Sequence, residues 1–154
     1  MLFLLFQLGD DRYALDVRQI VEILPCLGLK RIPQAPQGVA GLLNYHGAPV
    51  PVIDLSALAL GRDAVLRMST RLILVRYPGP GEGNQLLGLM AEQATETARF
   101  DAADFVPGGI GSPEAGYLGP VTSHAGVLVQ RIEIAGLLTD KVKSLLFEPL
   151  AATP

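Results

Sequence analysis

Apolar residues along this chain come in short runs broken by prolines and glycines, without long helical stripes. Leu2 to Leu8 is nearly all apolar and predicts a buried strand. The polar Gly9-Asp10-Asp11 then turns the chain into a second strand around Tyr13 to Val17. Val17, Ile20, Val21 and Leu24 fall at helical spacing, which predicts one or two helical turns stopped by Pro25. Strands are expected next near Leu29 to Ile32, Gly38 to Tyr45 and Ala48 to Asp54, with Asn44-Tyr45-His46-Gly47 as the tight turn between the last two. Pro49 and Pro51 lack N–H donors at alternate positions. One edge of their strand should therefore be incompletely paired, leaving bare apolar side chains as a docking surface. Leu55 to Leu60 reads as a helical turn ended by Gly61.

The second half repeats the texture. Strands are expected at Thr70 to Arg76, Gln85 to Ala91, Glu96 to Phe100, Tyr117 to Ser123 and Gly126 to Ile132. Gly79 to Gly83 should be a hairpin loop, Phe105 to Gly116 a long Gly/Pro-rich loop, and His124-Ala125 a turn. Ile134, Leu137, Leu138, Val142, Leu145 and Leu146 recur at i, i+3, i+4 intervals and predict an amphipathic C-terminal helix, followed by a frayed tail at Pro149 to Pro154. No internal sequence repeat is visible beyond this shared strand-rich pattern.

Composition narrows the class. With 49% apolar and 18% charged residues among 154, the chain must bury most of itself, which excludes a disordered scaffold. That length fits one compact domain or two intimately packed halves. Without Trp, the core rests on Leu, Val and Ile; 17 glycines and 12 prolines suit a turn-rich β domain. A net charge of −3 argues against sequence-independent nucleic-acid binding. Arg62, Arg67, Arg71 and Arg76 form the only local basic stretch: a solvated edge, or the contact surface for an acidic partner. The single cysteine, Cys26, fits a reducing cytosol and reads as an apolar filler beside Pro25. The N-terminal MLFLLFQLGDD lacks the basic start and small-residue cleavage site of a signal peptide and is too short to span a bilayer. The expectation is a cytoplasmic protein without direct membrane insertion.

No reactive constellation emerges. His46 and His124 are isolated from each other and from any cysteine pair, so no metal site is expected. Asp10 and Asp11 belong to a turn and have no partner ligands. The glycines near residue 80 lack the Lys-Ser/Thr of a phosphate-binding loop and lead into a strand. No catalytic residues and no cofactor are expected, and binding is what such a domain can do.

The segment from Ile20 to Leu55 carries a further signal. It contains IVEI, IPQAP, GLLNYHG and VPVIDL in that order, and closely resembles the motifs of CheW-like coupling proteins of bacterial chemosensory pathways. STRLILV, LLGLMAEQATET and GVLVQRIEIAGLL extend the likeness over most of the chain. The resemblance implies a mainly β fold: two small SH3-like β-barrels packed around a common core, with short helices and a C-terminal helix. These would be intertwined subdomains of one domain over residues 1–154, with a boundary near 60–70. It further implies a non-enzymatic adaptor, recruited to membrane-bound receptor arrays. Such an adaptor links the cytoplasmic tip of methyl-accepting chemoreceptors to the regulatory domain of a CheA-type histidine kinase. Carried over by motif position, the receptor-facing residues would be Ile20, Glu22, Gly41, Asn44, His46 and Gly47. Val39, Val50 and Val52 would be the kinase-facing ones. Three positions depart from the family pattern: His46 stands where arginine is usual, Glu92 where aspartate is, and Ala94 where valine is. The family's glutamate–arginine pair would become Glu22 and a protonated His46, a weaker pairing. Two other readings remain: a CheW-like competitor without coupling activity, and a small β-barrel ligand-binding or enzymatic domain.

Overall fold

The computed structural model describes residues 1–78, 84–108 and 115–147. Among the described residues there are nine strands: β1 (Leu2–Leu8), β2 (Asp11–Asp16), β3 (Ile20–Pro25), β4 (Val39–Tyr45), β5 (Ala48–Asp54), β6 (Arg71–Pro78), β7 (Asn84–Arg99), β8 (Leu118–His124) and β9 (Val127–Ile132). Two short helices follow β5 and close the C-terminal side, α1 (Leu55–Leu60) and α2 (Asp140–Phe147).

The continuous apolar run of β1 is explained by burial on both faces. Leu4, Phe6 and Leu8 enter the main core with Leu15, Ile53, Ile73, Leu87 and Leu89. Phe3 and Leu5, pointing the other way, enter a second core with Ala14, Ala98, Phe100 and Val129. β1 therefore sits between two strand groups, and β7 joins them. Its first part pairs with β6 antiparallel and β5 parallel; its last part pairs with β1.

The expected break between Gln85–Ala91 and Glu96–Phe100 is absent. One strand of 16 residues runs through, bent where Gln93 takes a positive φ of 52° and the register against β1 slips. Ala94, just past this bend, is buried in the main core and donates its N–H to the Ser69 carbonyl at 3.0 Å. Glu92 accepts the Ser56 hydroxyl at 2.9 Å.

The two strand groups have the same plan, although the sequence shows no repeat. Hairpin β4–β5 is matched by hairpin β8–β9, and each second strand runs parallel to a strand of the body: β5 beside β7, β9 beside β2. Each first strand is bulged and receives an isolated backbone bridge, Lys30 to Leu42 in one case and Val106 to Val121 in the other. The fold is mainly β, as the resemblance implied.

Several local expectations fail for physical reasons. Val17 to Leu24 is no helix beyond a 3-10 turn at Val17–Gln19, capped by the Asp16 carboxylate accepting from the Arg18 N–H. The β-branched Ile20, Val21 and Ile23 then extend as β3 against β6. Leu29 to Ile32 forms only the Lys30 bridge. At the C-terminus a 3-10 turn (Ile134–Gly136) precedes the helix, which begins at Asp140. The loops at 79–83 and 109–114 and the tail at 149–154 lie outside the described residues.

Candidate protein-binding face of the first strand group

The turn between β4 and β5 has two residues, because Tyr45 pairs with Ala48. His46 and Gly47 both take positive φ, 52° and 88°. That is the left-handed geometry of the turn that matches strand twist, and glycine and asparagine-like residues tolerate it best. The Asn44 side-chain oxygen accepts the Gly47 N–H at 2.9 Å and locks the tip. Two of the expected contact residues, Asn44 and Gly47, thus have clear roles in building the turn.

Tyr45 reaches across to β3, where its hydroxyl donates to Glu22 Oε1 at 2.7 Å. The carboxylate it faces holds the Tyr45 phenol above its ordinary pKa, chiefly through this hydrogen bond. The Glu22–His46 charge pair expected from the sequence does not form. No Glu22–His46 ion pair occurs among the described residues; Tyr45 takes Glu22, and His46 packs its ring edge-on against Tyr45 with centroids 4.4 Å apart. The reason is steric. The phenol one position before the turn spans the gap to Glu22, and the His46 ring is packed against that phenol. Tyr45 is the residue that sequence reasoning missed, and the signal for it was an aromatic hydroxyl directly before the turn.

Around this tip the exposed apolar side chains belong to β3. Val21 and Ile23 are 36% and 43% exposed, flank Glu22, and offer contact area beside a fixed polar pair. Ile20 is half-buried and packs against the main core. Glu22, Asn44, Tyr45, His46 and Gly47 therefore meet at the tip, while Val21 and Ile23 lie exposed along the same edge strand as Glu22 and half-buried Ile20 begins it.

Gly41 has a different role. A Cβ there would collide with the Lys30 carbonyl oxygen, and its φ is 152°. Lys30 lies against β4 and exchanges both backbone hydrogen bonds with Leu42 at 2.8 Å. The residue is buried and is glycine so that two backbones can meet, which leaves a partner no access to it.

Val50 and Val52 correct the expectation of a bare edge strand. They are 3% and 0% exposed. β5 is paired on both sides over Val52 to Asp54, with β4 and β7. Val52 packs on Leu72, Ala64 and Met90, so these side chains hold the barrel and present nothing to solvent. Pro49 and Pro51 lie before the parallel ladder begins, which is how two missing N–H donors are tolerated. Val39 is half-buried at the mouth of a groove between residues 26–40 and the segment after α1. Burial pushes the Cys26 thiol in this groove above its ordinary pKa, with a smaller push from the Asp54 charge, so it is no poised nucleophile. Asp54 itself is spent: its carboxylate accepts the N–H groups of Ser56, Ala57 and Ala64 at 3.0, 3.2 and 2.8 Å. No group of three metal-ligating side chains occurs among the described residues. None of their helices is long and apolar enough to cross a membrane.

Comparison with known proteins gives a consistent answer. A family model described as CheW-like domain matches residues 2–142. The chain is 32% identical over 106 residues to a chemotaxis protein CheW of Helicobacter pylori, covering 68% of this chain and 61% of that protein. It is 26% identical over 113 residues to protein FrzA of Myxococcus xanthus, covering 73% and 68%. The match to a CheW of Klebsiella aerogenes covers 60% of that protein. The chain thus spans about three fifths of the length of the Helicobacter and Klebsiella relatives. Its fold is similar to that of the scaffolding protein TtCheW from Thermoanaerobacter tengcongensis, with a TM-score of 0.78 at 22% identity over 92% of this chain and 90% of that one.

Proposed function

We propose that this chain, which belongs to the CheW-like domain family, is a coupling protein that works by simultaneous binding and carries out no chemistry of its own. Its partners would be the cytoplasmic tip of a methyl-accepting chemoreceptor and the regulatory domain of a CheA-type histidine kinase, which places it in the cytoplasm at receptor arrays. The observation that carries this reading is the face formed by β3 and the β4–β5 tip. There a two-residue turn and the Tyr45–Glu22 hydrogen bond fix the tip against β3, an edge strand on which Val21 and Ile23 are exposed. Exposed apolar side chains beside satisfied polar groups on a rigid scaffold are what a protein interface needs, because little ordering entropy is lost on binding.

The receptor would meet Glu22, Asn44, Tyr45, His46 and Gly47, with Val21 and Ile23 as apolar anchors and Ile20 at the edge. The kinase would meet the outer surface of the first strand group near Val39, with Val50 and Val52 supporting that surface from within. Residues 1–154 would act as one domain of two intertwined subdomains, with the boundary near 60–70.

The test is reconstitution of kinase autophosphorylation with receptor-containing membranes. The protein should raise phosphate incorporation several-fold in the presence of receptor, and Ile23→Asp should abolish the rise while leaving the fold intact. No stimulation by the folded wild type with any receptor and kinase of its host would overturn the coupling reading and favour the competitor reading.

A further inference from the structure

The segment after α1 holds large apolar side chains in water on a fixed backbone. Leu66 and Met68 are 66% and 91% exposed, and Leu27 across the groove is 73% exposed. Such exposure would be unremarkable on a slack loop. Here the segment is tied down at every other residue. Ala64 donates to buried Asp54, Arg67 N–H to the Thr70 hydroxyl at 3.2 Å, and that hydroxyl to the Val65 carbonyl at 2.6 Å. Ser69 accepts from Ala94 and Arg67 from Thr70, both at 3.0 Å. Asp54 and Thr70, 5% and 2% exposed, are thus committed to presenting Leu66 and Met68 outward. Between Leu66 and Leu27 lies a groove of about 530 Å³, also lined by the buried Met90 and Ala64, with Met68 two residues beyond its lining.

Basic side chains rim it. The chain carries a net −3, yet Arg31 lines the groove, and Lys30 and Arg67 are exposed directly beside lining residues. None of these three has an ion-pair partner among the described residues. Of the acids in the lining, Asp54 is consumed by three backbone donors and only Asp63 is exposed. Arg62, in the same basic stretch, directs its guanidinium toward Gly9 and stands apart.

We propose that this groove is a docking site for an acidic protein segment with large apolar anchor side chains. The anchors enter between Leu27 and Leu66, and its carboxylates meet Arg31, Arg67 and Lys30. The stapled backbone around Leu66 removes most of the ordering cost. Val39, on the surface assigned above to the kinase, also lines this groove, so the inference deepens the coupling reading there, but peptide selection on the isolated chain tests it without receptor or kinase.

The experiment is selection of a phage-displayed random peptide library on the full chain, followed by affinity measurement of the recovered peptides. Peptides rich in Asp and Glu around Leu, Ile, Phe or Met should be enriched. Their affinity should fall about tenfold or more in Leu66→Asp and in the double variant Arg31→Glu, Arg67→Glu, and should weaken between about 0.05 and 0.5 M salt. Circular dichroism confirms that the variants, all at exposed positions, remain folded. Enrichment of neutral or basic peptides, no enrichment, or binding indifferent to both variants would overturn the proposal. So would Leu66-dependent binding to phosphatidylcholine vesicles containing about one-fifth phosphatidylglycerol, which would assign Leu66 to a membrane surface.

Discussion

At the tip of β4–β5 the turn residues His46 and Gly47 have φ of 52° and 88°; at the tip of β8–β9 Ala125 and Gly126 have 52° and 79°. In each hairpin the residue before the turn reaches a glutamate on another strand. Tyr45 donates to Glu22 at 2.7 Å, while His124 Nε2 stands 3.9 Å from Glu96, which also binds Arg12 at 2.8 Å. The backbone plan is the same and the chemistry differs. The second tip is tied into the body by a cation, an acid and the edge-on packing of His124 on Phe100. The first uses a neutral donor and leaves His46 without a hydrogen bond among the described residues. A shared scaffold thus gives two exposed tips, with Val127 and Leu128 44% and 69% exposed beside the second, that differ in how the residue before the turn is held.

The sharpest way to break this account is to charge a position that the sequence suggested as surface. Val50→Glu should cost about 4 kcal/mol or more, because an unpaired carboxylate would enter the core. Ala48→Glu at the exposed tip should stay within about 0.5 kcal/mol of wild type in urea unfolding. Similar behaviour of the two would show that β5 is not buried.

Next comes the pair of bulge glycines. Gly41→Ala sets a Cβ against the fixed Lys30 carbonyl and should cost about 3 kcal/mol. Gly119→Ala meets the flexible Glu133 side chain at 2.7 Å and the Arg131 carbonyl at 3.0 Å, and should cost about 1–2 kcal/mol. Equal losses in denaturant titration would mean that the Lys30 bridge yields more easily than its two hydrogen bonds indicate.

The smallest effect is in pH. Tyr45 has its pKa raised above 10.0, first by its hydrogen bond to Glu22. That bond's contribution is fully present below pH 10 and lost as pH rises through the folded value. Glu96 has its pKa lowered below 4.5, first by the hydrogen bond from Arg12 and then by its charge. Its contribution is present above pH 4.5 and lost as pH falls through the folded value. Amide shifts of Gly47 should move at the alkaline end and those of Gly126 at the acid end. Movement of both at one end would erase the distinction between the tips.

Much of the frame was legible in the sequence where local chemistry decides. The run Leu2–Leu8 declared a strand, Asn44 through Gly47 declared a tight turn, and Gly61 ended α1 in the left-handed conformation with φ of 73°. The failures came where pairing at a distance decides. The spacing of Val17, Ile20, Val21 and Leu24 suited a helix until β6 offered β3 a partner. The valines beside Pro49 and Pro51 looked bare until β7 arrived to cover them. The Tyr45–Glu22 bond joins residues 23 positions apart on strands that do not pair with each other, so no spacing rule could find it. The duplicated plan of the two strand groups leaves only its bulge and turn glycines as a trace in the sequence, Gly41 and Gly47 in one hairpin, Gly119 and Gly126 in the other.

The most direct measurement is an NMR titration of isotope-labelled protein with the cytoplasmic-tip fragment of a chemoreceptor from its host. The account predicts saturable shifts at Val21, Glu22, Ile23, Tyr45, His46 and Gly47, none at His124 to Val127, and their loss in Ile23→Asp. Shifts centred on the β8–β9 tip, with the β4–β5 tip silent, would contradict it.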